Sequence, residues 1–560
     1  MSRKLKNKIQ AILKRESGTV FKDPGGRINI ALAYPNTYRV GMSNLGFQGI
    51  YGFLNSHDNV VCERIFLPDN SDFEEYRRAS SPIISMESQR PLNDFHVVAF
   101  SVSYENDYPN IIRILDLAGV PRRATNRTEH HPLLILGGIC TAYNPEPVAD
   151  FFDVIFIGEA EKSLSLFLAS LDSAGLQRRL LLSELSAIEG IYVPSLYQDI
   201  YETHNDKGNN AFLYKTPIKE APRLIKKGSP ADLDKSRLVS IISTKDAEFS
   251  QMCLIEAMRG CPWSCRFCVA SHVYRPVRFR NRKVLNDMIQ EASKRFPKIG
   301  LVGPSMSDYQ GIDDLIRFGT VNFSISSLRA WGRSRKLIKI LGDKGQKSLS
   351  IAPEAGSERM RSVIKKHLTE KDILETADLV LAYGVYQLRL YFMIGLPTET
   401  EYDVDAIAKL TVKIRNIRKG GTVVLSISCF VPKPFTPFQW LAMDEEKKLK
   451  KKLARIKKLL KGVSGVTIVH DPPRTSCLEA FLSKGDRRVS KAVEAIAESK
   501  GKSGDWRKAS MQAGINPDIY AHRRRSFQEH LPWDFIDSGI DKTALEQECR
   551  KALGQDVFSR

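Results

Sequence analysis

Twice along this chain, short β-branched runs alternate with helix-patterned stretches, and that alternation leaves few folds open. The first series runs through residues 28–34, 97–101, 133–136 and 154–157, with helical stretches such as 110–118 between them. Buried strands alternating with helices predict a doubly wound parallel sheet, which binds ligands at the carboxyl ends of its strands. The second series begins near Cys253 and offers six strands, at 254–257, 299–302, 321–325, 348–351, 387–394 and 423–427. Six β/α units, joined by helices such as 372–381, are too few for a closed eight-stranded barrel. They predict an open one with its chemistry at the C-terminal face. A polar stretch holding Lys226-Lys-Gly-Ser-Pro230 separates the two series and reads as a linker.

The second series also carries the most telling side chains. Cys261, Cys265 and Cys268 lie in Gly260-Cys-Pro-Trp-Ser-Cys-Arg-Phe-Cys268, directly after the first strand of that series. Three thiolates so closely spaced can hold three corners of a cubane iron–sulfur cluster, which normally takes four cysteines. The fourth iron then stays open for a small molecule, as a catalytic zinc keeps a free position. On spacing alone the alternative is a zinc knuckle, with His272 or Cys253 as fourth ligand. The other six cysteines, Cys62, Cys140, Cys253, Cys429, Cys477 and Cys549, show no pairing pattern, which fits a reducing cytoplasm.

Composition narrows the rest. The 560 residues are 42% hydrophobic, enough for about three packed domains. No apolar run is long enough to span a membrane, and the basic N-terminus lacks the apolar stretch of a secretory signal. A cytoplasmic protein without a membrane partner is expected. Lysine and arginine total 84 against 64 acidic residues, a net charge of +20 that attracts polyanions, RNA or the ribosome among them. Residues 444–460 form a basic amphipathic helix with Leu449, Leu453, Ile456 and Leu460 on one face. Its lysines read as a solvated face in the ordinary case and as an RNA contact in the sharper one.

The Cys-x3-Cys-x2-Cys spacing, with Phe267 before the last cysteine, resembles the signature of radical S-adenosylmethionine (SAM) enzymes. Ala352-Pro-Glu-Ala-Gly-Ser357 and Tyr391-Phe-Met-Ile-Gly-Leu-Pro-Thr-Glu-Thr400 follow in the order and spacing of that group. Zinc needs none of that context. The resemblance implies a [4Fe–4S] cluster on Cys261, Cys265 and Cys268, with SAM chelated at the open iron. It also implies one-electron cleavage to a 5′-deoxyadenosyl radical, and a reductase such as flavodoxin or ferredoxin as electron donor. The implied SAM contacts are Phe267, Gly303, Glu354, Ser357, Arg361 and Gly395. Among these, Glu354 and Ser357 are expected near the ribose, Arg361 or Lys365 near the carboxylate, and Gly395 near the adenine. Gly303-Pro-Ser305 stands where relatives carry a Gly-Gly-Glu-like segment, and the glutamate is missing. No catalytic side chain is assigned beyond the cluster.

The first series resembles the cobalamin-binding domain that precedes many radical SAM modules. Gly137-Gly138, Asn144-Pro-Glu-Pro147 and Ile157-Gly-Glu-Ala-Glu161 carry that resemblance. It implies cobalamin contacts from Thr37, Gly41, Ser43, Ser101, Gly137, Gly138 and Gly158. The Asp-x-His-x-x-Gly motif that supplies a histidine to cobalt is absent, and His57 and His96 lie outside such a context, so no cobalt ligand is assigned. A flavodoxin-like sheet whose glycines only make turns is the alternative. With Gly485-Asp-Arg-Arg488 and Leu531-Pro-Trp-Asp-Phe-Ile-Asp537 included, the chain resembles one uncharacterised radical SAM family from about residue 28 to 552.

The expected fold is α/β. A Rossmann-like sheet occupies 1–200, a linker 201–250, a partial (β/α)6 radical SAM barrel 251–435, and a basic, mostly helical extension 436–560. The leading function is a radical SAM enzyme, with cobalamin-dependent methylation of an unknown substrate as its fuller form. One alternative is a tRNA- or rRNA-modifying radical SAM enzyme whose first domain is a cofactor-free docking module. Another is a non-catalytic RNA- or ribosome-binding protein with a structural cluster. A methylthiotransferase fits less well, because the first domain offers only Cys62 and Cys140 where three further cluster cysteines are needed.

Overall fold

The computed structural model describes residues 2–173, 177–202, 212–218, 221–318, 321–325, 328–330, 332, 334–418, 420–499 and 505–554. The chain divides into two compact units. The first comprises Met1–Leu254, Leu482–Pro517 and Gln528–Gly539, the second Ile255–Phe481, Asp518–Phe527 and Ile540–Arg560. The stretch expected as a separate C-terminal extension, 436–560, is thus shared between the two units.

Six strands make the sheet of the first unit: β1 (Ile28–Tyr34), β2 (Val60–Phe66), β3 (Val97–Ser101), β4 (Leu133–Gly137), β5 (Val154–Phe156) and β6 (Ile191–Tyr192). Their order is β2-β1-β3-β4-β5-β6, parallel through β5 and closed by an antiparallel β6. The strands are buried almost throughout, as expected when helices cover both faces. The chain runs outward from β1 to β2 and then returns to the other side of β1 for β3. The carboxyl ends of β1 and β3 therefore flank the point where winding reverses, the usual ligand crevice of such sheets.

β2 is the strand that the sequence pattern does not reveal. Cys62-Glu63-Arg64 interrupts its apolar run, yet all seven residues are buried. Arg64 is fully enclosed. Its guanidinium donates to Glu87 Oε1 at 2.7 Å and to Glu16 Oε1 and Oε2 at 2.8 and 2.7 Å. Burial raises both carboxyls. Arg64 outweighs it at Glu16, which sits below its ordinary range, while Glu87 stays above it.

Past β6 the first unit adds a hairpin of β7 (Tyr197–Tyr201) and β8 (Phe212–Pro217), and a short β9 (Ile225–Lys226) that pairs in parallel with Ile536–Asp537. Residues expected as linker pack on this unit instead. Ile242 is buried, and the backbone amides of Ile241 and Ile242 both donate to Gln48 Oε1 at 3.0 Å. The remaining part of that stretch, 203–211 and 219–220, lies outside the described residues. Returning late in the chain, helix Val489–Glu498 packs on helix Tyr108–Ala118. Arg487 joins Lys215 around Glu146, at 3.2 and 2.8 Å.

The boundary between the units falls within β10 (Met252–Glu256). A two-stranded ribbon follows, in which β11 (Met258–Arg259) pairs antiparallel with β12 (Arg278–Phe279). β13 (Lys298–Val302) and β14 (Asn322–Ile325) complete a three-stranded sheet with β10. β15 (Ser348–Glu354), β16 (Gln387–Ile394), β17 (Thr422–Cys429) and β18 (Val466–His470) form a second, all-parallel sheet. A parallel bridge between Leu328 and Ile351 joins these two sheets. The six expected strands are present, and β18 adds a seventh beside the last. On β16, Leu388, Leu390 and Phe392 are buried, and helices Glu370–Ala382 and Glu401–Arg415 pack on this sheet. Burial of side chains of this size contributes about 2 kcal/mol each. Tyr391, on the opposite face, is exposed. The segment 430–440 is a packed connector: Trp440 has no exposed surface and meets Phe527 edge-on at 4.9 Å.

Candidate active site

The cysteine loop is clamped at its base. The β11–β12 ribbon pairs Met258 with Phe279 and Arg259 with Arg278, so residues 260–277 leave and return at one point. Gly260 sits at φ +79°, and a Cβ there would lie 2.4 Å from the Tyr274 carbonyl oxygen. Gly260→Ala should therefore destabilise the loop by about 2 kcal/mol or more. Iron retained after anaerobic reconstitution checks this, and should fall well below wild type.

Cys261 and Cys265 are buried, Cys268 is half-buried, and all three are free thiols. Burial pushes the Cys261 thiol up and the Cys265 thiol to about 11. Bare thiolates are unfavourable in this loop, so ligation must release protons and supply the compensating positive charge. Among the described residues, no three His, Cys, Asp or Glu side chains are grouped to hold one metal ion. His272 Nε2 lies 3.3 Å from the Cys265 carbonyl oxygen, and the Cys253 thiol donates to the Ser240 carbonyl at 3.5 Å. Two buried polar side chains lie against the thiols, Arg329 beside Cys265 and Ser271 beside Cys261.

The loop is held from below by groups that carry no sequence motif. Arg266 donates to the Val363 carbonyl at 2.8 Å and to Glu548 Oε2 at 3.1 Å. Glu548, on the C-terminal helix Lys542–Leu553, also takes Lys365 at 3.2 Å. Trp263 donates its indole N–H to Asp308 Oδ2 at 2.6 Å, and Arg329 lies over its ring.

The residues expected around SAM fare unequally. Glu354 ends β15 at φ +67°, a costly conformation for a side-chain-bearing residue, and its half-buried carboxylate accepts from Lys366 Nζ at 3.0 Å. Phe267 is half-buried on the cysteine loop. Gly395, at φ +82°, follows β16; a Cβ there would meet Leu449 Cδ2 at 2.7 Å. Gly303 is required by packing, since a Cβ would fall 2.3 Å from Met258 Cγ. Two more of these residues are partly engaged within the protein. Arg361 is buried and donates through Nη1 to the Ala355 and Gly356 carbonyls, both at 3.0 Å, and through Nε to the Leu368 carbonyl at 2.8 Å. It braces the 354–358 turn, and its Nη2 makes no hydrogen bond within the protein. Ser357 caps helix Glu358–Val363, accepting from the Met360 amide at 3.1 Å and donating to Asp403 Oδ1 at 2.6 Å. Its hydroxyl is committed to joining two helix starts.

At the carboxyl edge of the first unit's sheet, Thr37, Ser101 and Gly137 are half-exposed and Gly138 is exposed. They form a ledge of small side chains. Gly138 takes φ +123°, and a Cβ would stand 2.1 Å from the Val102 carbonyl oxygen. Three other expected contacts serve the fold. Gly41 makes room for the Phe66 ring, 2.5 Å from a built Cβ, and Gly158 for Lys227 Cγ at 2.3 Å. Ser43 Oγ accepts from the Glu248 amide at 2.7 Å. His96 lies at the opposite edge, before β3, where its Nδ1 accepts from the Asn29 amide at 3.1 Å.

Beside the ledge, Asp107 accepts from Asn36 Nδ2 at 2.9 Å and Asn110 Nδ2 at 3.5 Å. Burial pushes its carboxyl up to about 7, and the two amides offset this only in part. A carboxyl raised on folding costs stability as pH rises from about 4 to 7, because the folded state holds a proton that the unfolded chain has lost. Asp107→Asn keeps the acceptor without the charge. It should raise the melting temperature of the first unit at pH 8 and change it little at pH 4, by calorimetry.

Comparison with known proteins agrees with this architecture. Residues 46–194 match the family described as radical SAM proteins, N-terminal, and residues 255–411 match the radical SAM superfamily. An uncharacterized protein of Methanocaldococcus jannaschii is 30% identical over 472 residues, 83% of this chain and 90% of that protein. The chain therefore belongs to the radical SAM superfamily, and within it to the family of the M. jannaschii protein. It is an enzyme of a class that works with a [4Fe–4S] cluster, SAM, a reductant and a substrate. The bacteriochlorophyllide d C-8(2)-methyltransferase of Chlorobaculum tepidum is 23% identical over 208 residues, covering 35% of this chain and 36% of that enzyme. The radical SAM methyltransferase TsrM from Kitasatospora setae, solved with cobalamin and a [4Fe–4S] cluster, shares the fold. That match covers 87% of this chain and all of TsrM, at a TM-score of 0.50 and 12% identity. Among the described residues no helix is long and apolar enough to cross a membrane.

Proposed function

We propose that this protein is a corrinoid-dependent radical SAM methyltransferase. Its second unit would hold the cluster through Cys261, Cys265 and Cys268, and its first unit would hold the corrinoid. When bound, these groups supply a SAM-derived radical and a transferable methyl group. The protein's part is to hold them, exclude water and fix the substrate. The observation that carries the reading is the ledge of Thr37, Ser101, Gly137 and Gly138 at the carboxyl edge of the β2-β1-β3-β4-β5 sheet. It lies where such sheets take their ligands and offers little side-chain bulk against a broad, flat ring. The fold likeness to TsrM supports it. Gly395 and Glu354, at the ends of β16 and β15, are candidates for meeting SAM, as is Arg361, whose Nη2 makes no hydrogen bond within the protein.

The test is anaerobic purification with corrinoid supplied during expression, followed by visible spectroscopy. About one corrinoid per chain is expected, reduced in a Gly138→Val variant that still folds. A full complement of iron and sulfide with no corrinoid uptake would reject the corrinoid part alone. The RNA reading gains no such support. On the basic helix, Lys450 pairs with Glu446, Lys452 with Glu399 and Asp444, and Arg455 with Glu401 and Asp405.

A further inference from the structure

Arg329 has no motif around it, follows β14 and is buried. Its guanidinium carbon stands 3.6 Å from the centre of the Trp263 ring, close face-on stacking. Trp263 is no ordinary neighbour, since it lies between Cys261 and Cys265 in the cluster loop. Its edge is fixed by the bond to Asp308, which also accepts from Ser305 Oγ at 2.7 Å. The stack therefore has one rigid side.

The other side is equally constrained. Arg329 Nη2 donates to the Lys366 carbonyl, and to the His367 carbonyl at 3.4 Å. The guanidinium is buried and lies against the Cys265 thiol, with the Asp308 carboxylate nearby. No carboxylate pairs with it within ion-pair distance among the described residues. The second cation near Cys265, Lys366, differs in being paired with Glu354 at 3.0 Å. Arg329 is thus an immobile positive charge without a direct carboxylate partner, set against the sulfur side of the loop.

We infer that Arg329, clamped on Trp263, is a positioning residue that raises the reduction potential of the cluster held by Cys261, Cys265 and Cys268. The inference rests on the reading that those cysteines hold the cluster. A fixed cation lowers the energy of whichever cluster state is more negative, and gaining an electron makes it more negative. Low-dielectric surroundings strengthen the effect, and hydrogen bonds to cluster sulfur act in the same direction. Lysine cannot stack in the same way or offer a planar fork.

The experiment is an EPR-monitored redox titration of reconstituted protein without substrate, with iron and sulfide counted for each sample. Arg329→Gln should lower the reduced-to-oxidised ratio at a fixed poise about tenfold, equal to ~59 mV for one electron. Arg329→Lys should fall between this variant and wild type. If Arg329→Gln takes up no cluster, Trp263→Ala decides, because it releases the guanidinium while leaving its charge: the midpoint should again fall. A full cluster with a wild-type midpoint in Arg329→Gln, or in Trp263→Ala when that variant decides, overturns the inference. Wild-type protein that binds no iron would overturn the underlying cluster reading itself.

Discussion

Replacing Arg64 with methionine should lower the melting temperature of the first unit by about 10 °C at neutral pH. The side chain has no exposed surface and holds Glu16 and Glu87, whose side chains are 0% and 3% exposed. Removing one partner from a buried ionic group leaves uncompensated charge and costs about 3–5 kcal/mol. In a unit of this size that corresponds to roughly 6–20 °C. The sign of the pH dependence follows. Without Arg64 both carboxyls titrate higher in the folded state than in the unfolded chain, so the loss should be larger at pH 8 than at pH 5. Adding Glu16→Gln and Glu87→Gln to Arg64→Met should recover part of it. Calorimetry of the single and triple variants checks the prediction. A drop that is independent of pH, or a triple variant no better than the single one, would contradict it.

The second large effect concerns the cysteine loop. Cys265→Ala should abolish formation of 5′-deoxyadenosine from SAM and dithionite under anaerobic conditions. It should also remove most of the iron–sulfur absorption, while circular dichroism stays close to wild type. The fold is expected to survive because the loop is also held by the β11–β12 ribbon and by Arg266 on Glu548 and the Val363 carbonyl. Chromatographic detection of 5′-deoxyadenosine is the measurement. Turnover in the variant at anything near the wild-type rate would exclude the three-cysteine assignment.

Much of the fold was legible because its strands are predominantly apolar and rich in β-branched residues. Ile28–Tyr34, Val97–Ser101 and Gln387–Ile394 stand where their β-branched runs put them. β2 escaped notice because Glu63 and Arg64 look like a surface break, although inside the protein Ser85 donates to Glu63, Arg90 pairs with it, and Glu16 and Glu87 pair with Arg64. β18 carries a β-branched run, Val466-Thr-Ile-Val469, but was passed over because it lies in the stretch expected to be mostly helical; it stands at a sheet edge with two exposed residues. For the candidate site, local spacing revealed what is local: the three cysteines and the glycines at strand ends. Arg361 and Ser357 were read as ligand contacts because their types suit a carboxylate and a ribose; what the sequence does not reveal is that Arg361 also braces the turn through Nε and Nη1 and that Ser357 joins two helix starts. Arg329, Lys366 and Glu548 had no signal at all. Each reaches the loop from a distant part of the chain, and one lone basic or acidic residue in a chain so rich in both carries no pattern.

The most direct test of the whole account is Mössbauer spectroscopy of protein purified without oxygen and loaded with 57Fe, recorded before and after SAM is added. Four irons per chain should appear, one of them electronically distinct and altered by SAM. Tetrahedral zinc in place of iron, or four equivalent irons indifferent to SAM, would contradict it.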